Sequence, residues 1–377
     1  MSLRIGGMGW VTPLGSGVSA VWERLLRGDV AASETISSPL NARTFEVFRV
    51  PPDATAKAPA HPRLRRSSAI SRFAVVAGLA ALEDAGVQLD AASAERTAVI
   101  FAVSNGGVIY TKRFYHDVVE SGAQAASPLL FPETVFNAPA SHLAAILGIT
   151  GASYTLVGDG AVGLLALKMA EDLLQDDSLD RCLVVGAEEA DWLLSDAYRR
   201  WHLLRTAAPI EPFQPHPRGM ILSEGAGAVV IDRTGSTAIE KVDAGCNFSR
   251  QRDAAGCVEQ VFGRLSGAND DLVVASANGT FIDAAEAAAI AQHCPDGITY
   301  TPKVALGESV GAASLWQVIC AAQMLRTGAI PAPSHSPVAD GFQLHREPRH
   351  NVSARRAIVS VCGMNQQVAG LSLRAAD

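Results

Sequence analysis

The sequence predicts an α/β fold of layered sheets with helices sandwiched between them. Strand-like and helical runs alternate along the chain up to Thr234, and the same alternation recurs after it. A helix predicted from Gly311 to Leu325 is apolar on nearly every face, which is typical of burial between sheets rather than of a surface helix. Because alternating strands and helices favour layered α/β architectures, these observations indicate the fold class.

The predicted elements before Thr234 follow the chain in a regular order. Short apolar runs are predicted as strands and longer runs as helices. They are a strand from Arg4 to Val11, helices from Ser19 to Leu26 and from Ser71 to Ala85, strands from Thr97 to Val103 and from Tyr154 to Val157, a helix from Ala161 to Leu174, and strands from Arg181 to Gly186 and from Gly225 to Asp232.

The second part of the chain repeats this pattern. Strands are predicted near Leu272 to Ser276 and Ala357 to Val361, and helices near Ala284 to Gln292 and from Gly311. We therefore expect two similar halves, residues 1–234 and residues 235–377. Two irregular segments, the proline-rich Ser38 to Pro62 and the segment Ala332 to Pro348, are predicted as surface connections.

Composition and charge exclude several classes of protein. The 377 residues are 48% hydrophobic with a mean hydropathy of +0.17, which is enough for a large core. Apolar runs end well short of the about 20 residues that span a bilayer. The first residues lead directly into a predicted strand without a signal-type leader, so we expect a cytoplasmic protein. A net charge of −7 gives no electrostatic footprint for nucleic acid.

Cysteine and arginine spacing bear on metals and partners. Six cysteines without C-x-x-C spacing predict reduced, mainly buried thiols, and indicate neither a disulfide framework nor a zinc site. No metal or other cofactor is expected. A local cluster of Arg63, Arg65, Arg66 and Arg72 has two interpretations. It is either a solvated helix entrance or a docking patch for an acidic partner.

Six segments carry the most specific sequence information. In chain order they are GGMGWVTPLG (6–15), GASYTLVGDGAVGLLAL (151–167), FQPHPRGMILSEGAGA (213–228), ASANGT (275–280) with Asp283 and Glu286 after it, TPKVALGESVGAAS (301–314) and VCGMN (361–365). In this order they resemble the motifs of the β-ketoacyl synthases of the thiolase superfamily, over essentially the whole chain. The resemblance implies a five-layered, thiolase-like fold built from two duplicated βαβαβ-type halves.

The reactive positions depart from that family. The family has a cysteine at a helix N-terminus where this chain has Gly160, and its two histidines align with Asn278 and Glu308, whereas Lys303 and Glu224 match. A helix N-terminus stabilises a thiolate, but none can form at Gly160. An ionised Glu308 would oppose the negative charge of the decarboxylation step by about 4 kcal/mol at ~4 Å and an effective dielectric constant of ~20. The resemblance therefore implies a family scaffold without ordinary condensation.

Glu308 has two interpretations. In the first, it pairs with Lys303, which lies close in sequence, and the neutral ion pair fills the former cavity, because buried charges tend to be paired. Alternatively, it is a general base with a pKa raised by burial that acts with Asn278 on a water or hydroxyl.

Other residues near these positions also have two interpretations. Asp159 is predicted to cap the following helix, with a nucleophile or base as the alternative. Cys362 either fills space or supplies a relocated thiol, and the backbone N–H of Cys362 or Gly363 could supply an oxyanion donor by analogy with the family. Met220 and Val361 replace common aromatic residues of the family at the cavity entrance. They indicate either a differently packed core or altered gating of an acyl chain.

These resemblances give hypotheses from different classes. The first is a subunit without the Cys-His-His triad that pairs, like a chain length factor, with an active synthase in fatty acid or polyketide/polyene biosynthesis. Segment 127–142 resembles the family's dimer seam, where Phe131, Val135 and Phe136 would meet the partner. The second is a thioester hydrolase, acyl transferase or decarboxylase that uses Asn278 and Glu308 without a covalent intermediate. The third is a homodimer that binds acyl carrier protein or acyl thioesters without turnover.

Overall fold

The structure of this chain, a computed structural model, describes residues 3–267, 272–332, 344 and 347–375. The predicted connection from Ala332 to Pro348 lies mostly outside the described residues. Each predicted strand and helix overlaps an observed one, and its ends differ by at most two residues.

Strands and helices alternate along the described chain. The strands are β1 (Arg4–Thr12), β2 (Gly15–Ser16), β3 (Ser33–Ser37), β4 (Thr44–Phe48), β5 (Thr97–Val103), β6 (Ser153–Val157), β7 (Arg181–Glu188), β8 (Leu222–Ser223), β9 (Gly225–Asp232), β10 (Thr237–Asn247), β11 (Leu272–Val274), β12 (Ile298–Tyr300), β13 (Arg356–Cys362) and β14 (Gln367–Ala375). The α-helices are α1 (Val18–Leu26), α2 (Ala69–Asp84), α3 (Ala91–Glu95), α4 (Val108–Ser121), α5 (Ala138–Leu147), α6 (Val162–Leu173), α7 (Trp192–Arg200), α8 (Ala254–Leu265), α9 (Ile282–His293), α10 (Lys303–Leu306) and α11 (Ala313–Thr327).

The main sheet contains the same arrangement of five strands twice. Its spatial order is β12-β11-β13-β14-β10-β1-β9-β7-β5-β6, with β2 beside β1. In each half the second and third strands in sequence are parallel, the fourth joins the second in parallel, and the fifth is antiparallel between the fourth and the first. The halves meet where Arg4 and Ile5 of β1 pair with β10. This repetition confirms the predicted duplication.

Helices cover and separate the two halves of the sheet. On the outer face of the first half, α2 packs against β1, β7 and β9, with α5 beside it. On the outer face of the second half, α8 packs against β10, β13 and β14, with α9 beside it. Between them, α6 and α11 contact each other and strands of both halves. The result is the five-layered α/β fold that the sequence predicts.

Helix α11 is the centre of the middle layer. Its residues from Ala313 to Met324 are all buried. The Trp316 Nε1 donates to the Ala226 carbonyl of β9 at 3.0 Å, and the Gln317 Nε2 donates to the Ser360 carbonyl of β13 at 2.8 Å. The helix therefore makes polar contacts with both halves, which confirms that it is sandwiched between sheets.

The prediction that Ser38 to Pro62 is only a surface connection is wrong. Strand β4 lies within it and pairs with β3 and β8 in a small three-stranded sheet. Phe45, Val47 and Phe48 are buried, because the run Thr44–Phe48 precedes the first of the clustered prolines at Pro51 and can still pair as a strand. Sequence reasoning also missed the helices α3, α4, α5, α7, α8 and α10 and the strands β2, β3, β8, β10, β12 and β14.

Candidate functional site

Gly160 lies in the turn between β6 and α6, at the point where the two halves of the molecule meet. It is buried, and α6 begins two residues later at Val162. A Cβ at this position would lie 3.3 Å from the Cα of Gly363 and 3.8 Å from the carbonyl oxygen of Cys362. The helix start is therefore present without a side chain, and the turn after β13 closes over it.

The prediction that Asp159 caps α6 is wrong. The helix has no side-chain cap, and the carboxylate of Asp159 instead accepts hydrogen bonds from the backbone N–H groups of Asn365 and Gln366 at 3.0 and 3.2 Å. A Cβ at Gly363 would overlap this carboxylate. The N-cap of α6 is Ala161, two residues further on, and Asp159 ties the turn after β13 to the turn that contains Gly160.

The side chains of Lys303, Glu308 and Asn278 lie together at the centre of the site, and we call them the buried cluster. Lys303 Nζ lies 2.7 Å from Glu308 Oε2, and the Asn278 Nδ2 donates to the same oxygen at 2.7 Å. The side chains of Lys303 and Glu308 are 2% and 0% exposed. This confirms the predicted pairing of Glu308 with Lys303. The Oε2 atom of Glu308 is bound by both Lys303 and Asn278.

A continuous series of contacts joins this cluster to the Gly160 turn. Lys303 Nζ donates to Ser276 Oγ at 2.8 Å, and Ser276 Oγ donates to the carbonyl oxygen of Cys362 at 3.2 Å. That carbonyl oxygen lies 3.8 Å from the position that a Cβ would take on Gly160. The positions that the sequence singles out are therefore brought together in one place.

Both ends of the Asn278 amide are engaged. Its Oδ1 accepts from the Thr280 hydroxyl at 2.7 Å, while its Nδ2 faces Glu308 and the sulfur atoms of Met220 and Met364 at 3.6 and 3.7 Å. Asn278 and Met220 are fully buried. The amide therefore has no hydrogen directed at a substrate atom.

The downstream carboxyls hold the loop that carries Asn278. Asp283 accepts from the backbone N–H groups of Phe213, Asn278 and Gly279 at 2.7 to 3.1 Å. Burial raises the pKa of Asp283 to about 6, although these hydrogen bonds oppose the shift. Glu286 accepts from the Ser276 N–H at 2.9 Å, and burial raises its pKa to about 7.

Glu224 is held away from the buried cluster by an arginine that sequence reasoning missed. Its Oε2 lies 2.8 Å from Arg49 Nη1, and its oxygens also accept from the N–H groups of Val50 and Ala190. Burial raises the pKa of Glu224, and the Arg49 charge opposes that shift. The arrangement ties β4 to the loops after β7 and before β9.

Cys362 has the properties of a packing residue. It is fully buried at the end of β13, and burial, together with the nearby Glu286 and Asp159 charges, raises its pKa well above the usual range of a thiol. The N–H of Gly363 donates to the Gln367 carbonyl at 2.7 Å, so it is not free to act as the oxyanion donor that analogy suggested. Val361 is likewise fully buried within β13.

Two neighbouring glutamates and a tyrosine belong to the site and were also missed. A cavity of about 10 Å³, the size of about one water molecule, is lined by Glu188, Glu189, Tyr198, Ser223 and Glu308. Within the described chain, Glu308 Oε1 and Ser223 Oγ have no hydrogen-bond partner. A larger open pocket of about 250 Å³ lies on the outer side of Tyr198, which lines both. Glu188 is the last residue of the buried strand β7, which is parallel to β5, and Glu189 follows it directly. This position at the carboxyl end of a parallel strand is the signal that could have found both glutamates.

Burial dominates the electrostatics of this cavity. It raises the pKa values of Glu188 and Glu189 to about 7, and the charges of Glu224 and Asp191 add to the shift at Glu189. The pKa of Tyr198 is raised by burial and then by the nearby Asp159, Glu188 and Glu308 charges. The space that faces Glu308 is therefore narrow and lined by acids.

The residues predicted to meet a partner lie on the surface. Phe131, Val135 and Phe136 are 55%, 41% and 46% exposed. All three lie just before α5 in the sequence. Tyr154 and Val157 on the edge strand β6 are exposed as well. The arginines of the cluster at 63–72 also point into solvent.

No metal-binding group of three His, Cys, Asp or Glu side chains occurs in the part of the chain that the structure describes. Over the same residues, no helix combines the length and apolar character needed to cross a membrane. Five of the six cysteines are buried, and Cys246 is partly exposed. The prediction that the thiols are mainly buried is confirmed.

The duplicated sheet and the position of the site define a thiolase-like ketosynthase scaffold. A sequence profile described as "Beta-ketoacyl synthase, N-terminal domain" matches residues 2–236. The chain belongs to the β-ketoacyl synthase family.

Relatives and solved structures agree with this assignment. Nodulation protein E of Rhizobium leguminosarum bv. trifolii is 24% identical over 302 residues, which are 78% of this chain and 71% of that protein. The chain spans less than two thirds of the next relatives it matches, at 57% and 56% of their lengths.

Two solved structures have the same fold. The ishigamide ketosynthase/chain length factor superposes with a TM-score of 0.86 at 20% identity, over 100% of this chain and 99% of the other. A ketosynthase in complex with its chain length factor, from Xenorhabdus doucetiae, superposes with a TM-score of 0.81 at 19% identity, over 100% and 98%. At these identities the similarity shows the fold.

Proposed function

We propose that this chain is a cytoplasmic, non-condensing ketosynthase-like subunit that pairs with an active β-ketoacyl synthase, as a chain length factor does, in fatty acid or polyketide/polyene biosynthesis. The observation that carries the proposal is the buried cluster beside Gly160. A glycine stands where a thiolate would form, and the space behind it contains a lysine–glutamate ion pair.

Condensation needs groups that this site does not offer. A thiolate must carry the acyl chain, and hydrogen-bond donors must stabilise the enolate that forms as a malonyl thioester loses CO2. Gly160 has no side chain, the Asn278 amide is engaged at both ends, and the Gly363 N–H donates within the protein. Glu308 adds a carboxylate where negative charge would develop. We therefore expect no carbon–carbon bond formation by this chain alone.

The surface supports a partner role. Strand β6 lies at the end of the sheet and is bonded only to β5 among the described strands, so its outer edge can pair with another strand. Exposed apolar side chains, including Phe131, Val135 and Phe136, lie in the segment that resembles the family's dimer seam. A similar fold forms a complex between a ketosynthase and its chain length factor.

The exposed arginine cluster at Arg63, Arg65, Arg66 and Arg72 supports an acidic carrier as the second partner. These four arginines form no ion pair with any described residue, so their charge is available to a docking protein. We propose that acyl carrier protein docks there. The expected affinity falls with salt, since surface charges are screened over about 8–10 Å at physiological ionic strength.

The hydrolase, transferase and decarboxylase hypotheses are not favoured by any contact in the site. Each would need the Asn278 amide or the Glu308 carboxylate directed at a substrate. The amide and Glu308 Oε2 bind each other. Glu308 Oε1 has no partner among the described residues, but the cavity that Glu308 lines is about 10 Å³, which is room for about one water molecule and not for a thioester. We therefore propose only the partner role.

The test uses the purified chain with malonyl- and acyl-carrier protein thioesters, alone and after co-expression with intact ketosynthases of the same genome. We expect no covalent acyl adduct by intact mass and no CO2 release from the isolated chain. We also expect co-purification with one ketosynthase and a change of product length when the two act together. The carrier-binding step is tested with Arg65→Glu against Arg252→Glu, an exposed arginine outside the cluster.

Two outcomes would contradict the proposal. The first is thioester loss or CO2 release by the isolated chain that disappears in Glu308→Ala and Asn278→Ala. The second is condensation by the single variant Gly160→Cys without a partner. We expect that variant to stay inactive, because Asn278 and Glu308 are unchanged and its new side chain would press on Gly363.

A further inference from the structure

A polar surface cavity lies on the outer side of the segment that carries Met220. It has a volume of about 370 Å³ and is lined by Arg43, Thr44, Glu46, Arg199, Arg205 and Thr206, among others. We call it the arginine pocket. It contains three guanidinium groups, two threonine hydroxyls and one carboxylate, so its lining carries an excess of positive charge and hydrogen-bond donors.

Two of the three arginines are held in position by carboxylates that do not line the pocket. Arg43 Nη1 lies 3.1 Å from Asp196 Oδ1, and Arg205 Nη2 lies 3.0 Å from Glu211 Oε2. Arg205 Nε also donates to the Ala207 carbonyl at 2.7 Å. These contacts orient the guanidinium groups while leaving other donors of the same groups for a ligand.

Two features show that the positive charge is not fully satisfied within the protein. The Arg205 side chain is only 6% exposed, yet its Nη1 has no hydrogen-bond partner among the residues that the structure describes. Arg199, at the end of α7, forms no ion pair with any described residue, although its neighbour Arg200 lies 2.7 Å from Asp196 Oδ2. The one lining carboxylate, Glu46, accepts from the Thr35 hydroxyl at 2.7 Å.

We propose that the arginine pocket binds a phosphate or diphosphate group of a small molecule. Guanidinium groups bind phosphate oxygens in pairs of parallel hydrogen bonds, and threonine hydroxyls add further donors. The volume lies within the about 300–1,000 Å³ of pockets that enclose small ligands. The pocket is also coupled to the buried cluster, because the Arg205 N–H donates to the Met220 carbonyl at 3.0 Å and the Met220 sulfur contacts Asn278.

Calorimetric titration of the full chain with pyrophosphate tests the proposal. We expect saturable binding that weakens about tenfold in Arg199→Ala, since one charge-assisted contact is lost. The control is Arg252→Ala, which removes the same charge from an exposed site that does not line the pocket and does not contact a residue that holds its arginines; we expect less than about a twofold change there. Arg205→Lys keeps the charge but removes the planar fork, so it should also weaken binding while thermal melting shows a folded protein.

Competition separates the sources of the phosphate. 4′-Phosphopantetheine or coenzyme A that displaces pyrophosphate would identify a thioester carrier, and failure of both to displace it would identify a free diphosphate. Absence of saturable pyrophosphate binding, or equal weakening in Arg199→Ala and Arg252→Ala, would overturn the proposal. Neither result depends on the partner role, because the titration involves no ketosynthase.

Discussion

A single buried carboxylate, Glu308, decides the character of the site. Without Lys303 it would be a negative charge in a closed interior, which proteins rarely tolerate. With Lys303 at 2.7 Å and Asn278 at 2.7 Å it becomes part of a neutral polar cluster. Such a pair is weak support for stability as a whole, yet removing one partner is costly, because the other is left uncompensated.

Lys303→Met tests this asymmetry. We expect the free energy of unfolding in urea to fall by about 3–5 kcal/mol, because Glu308 loses its cation. In the double variant Lys303→Met/Glu308→Gln, much of that loss should be recovered. The control is Lys168→Met, since Lys168 pairs with Glu171 and Asp172 at the surface and such pairs contribute about 0–1 kcal/mol. An equal effect of Lys303→Met and Lys168→Met would show that the buried ion pair does not hold the site.

Some residue roles could be predicted from sequence and others could not. The pairing of Lys303 with Glu308 was predictable, because they lie five residues apart at the start of one short helix and the turn after it. The role of Asp159 was not, since its partners Asn365 and Gln366 are brought to it only by the meeting of the two halves. Spacing along the chain carries no information about such a contact.

Among the secondary-structure elements, α6 and α11 cross where the chain has a glycine. A Cβ at Gly163 of α6 would overlap the Ser314 hydroxyl of α11. Helices approach this closely only where a small residue removes the obstacle, because interiors are close-packed. The middle layer therefore depends on that glycine.

Gly163→Ala measures this dependence. We expect a loss of about 1–3 kcal/mol from overpacking, read from equilibrium unfolding. Gly256→Ala in the exposed part of α8 is the matched control, because a Cβ there meets nothing within 4 Å. Alanine at that site should stabilise the helix by up to about 1 kcal/mol. If Gly163→Ala and Gly256→Ala changed the free energy of unfolding by the same amount in the same direction, the close packing at Gly163 would not be the cause.

The edge strand β6 is the element on which the partner role depends. Its outer side is exposed, with Val157 at 53% and Tyr154 at 40%. An exposed apolar edge is a template for pairing with another strand unless a partner covers it.

Val157→Glu should therefore weaken association through this edge. We expect the complex or dimer to dissociate at micromolar concentration in sedimentation experiments, while the circular dichroism spectrum stays unchanged, because a charge would have to be buried in the new interface. Leu40→Glu is the control, since Leu40 is 74% exposed and lies far along the chain from β6. If Val157→Glu associates as the unchanged chain does, β6 is not the interface.

At the scale of the whole molecule, several buried carboxyls make stability depend on pH. Burial raises the pKa values of Glu188, Glu189 and Glu286 from an ordinary value of 4.5 to about 7. Between about pH 4.5 and pH 7 the folded protein therefore binds more protons than the unfolded chain. The stabilising contribution of these groups is thus complete below about pH 4.5 and is lost as the pH rises through about 7.

Glu188→Gln should flatten this dependence. We expect the variant to exceed the unchanged protein in free energy of unfolding at pH 8 by a few kcal/mol and to match it near pH 5, since glutamine resembles the protonated acid and can still accept from the Ser104 and Asn105 N–H groups. Urea unfolding at both pH values measures it. The exposed Glu120→Gln should leave the profile unchanged, and a similar flattening by that control would refute the assignment to Glu188.

The sequence by itself determined the fold class, the repeated order of elements and the absence of a thiol at Gly160, because periodicity and residue identity are local properties. The division between residues 234 and 235, and the assignment of Asn278 and Glu308 to the positions of the family's histidines, stay predictions. Only the tertiary structure decided that the Asn278 amide is fully engaged, that Asp159 binds the turn after β13, and that Glu188, Tyr198 and Glu308 share one cavity. These contacts join residues from both halves or from distant loops, and the packing of five layers sets their distances.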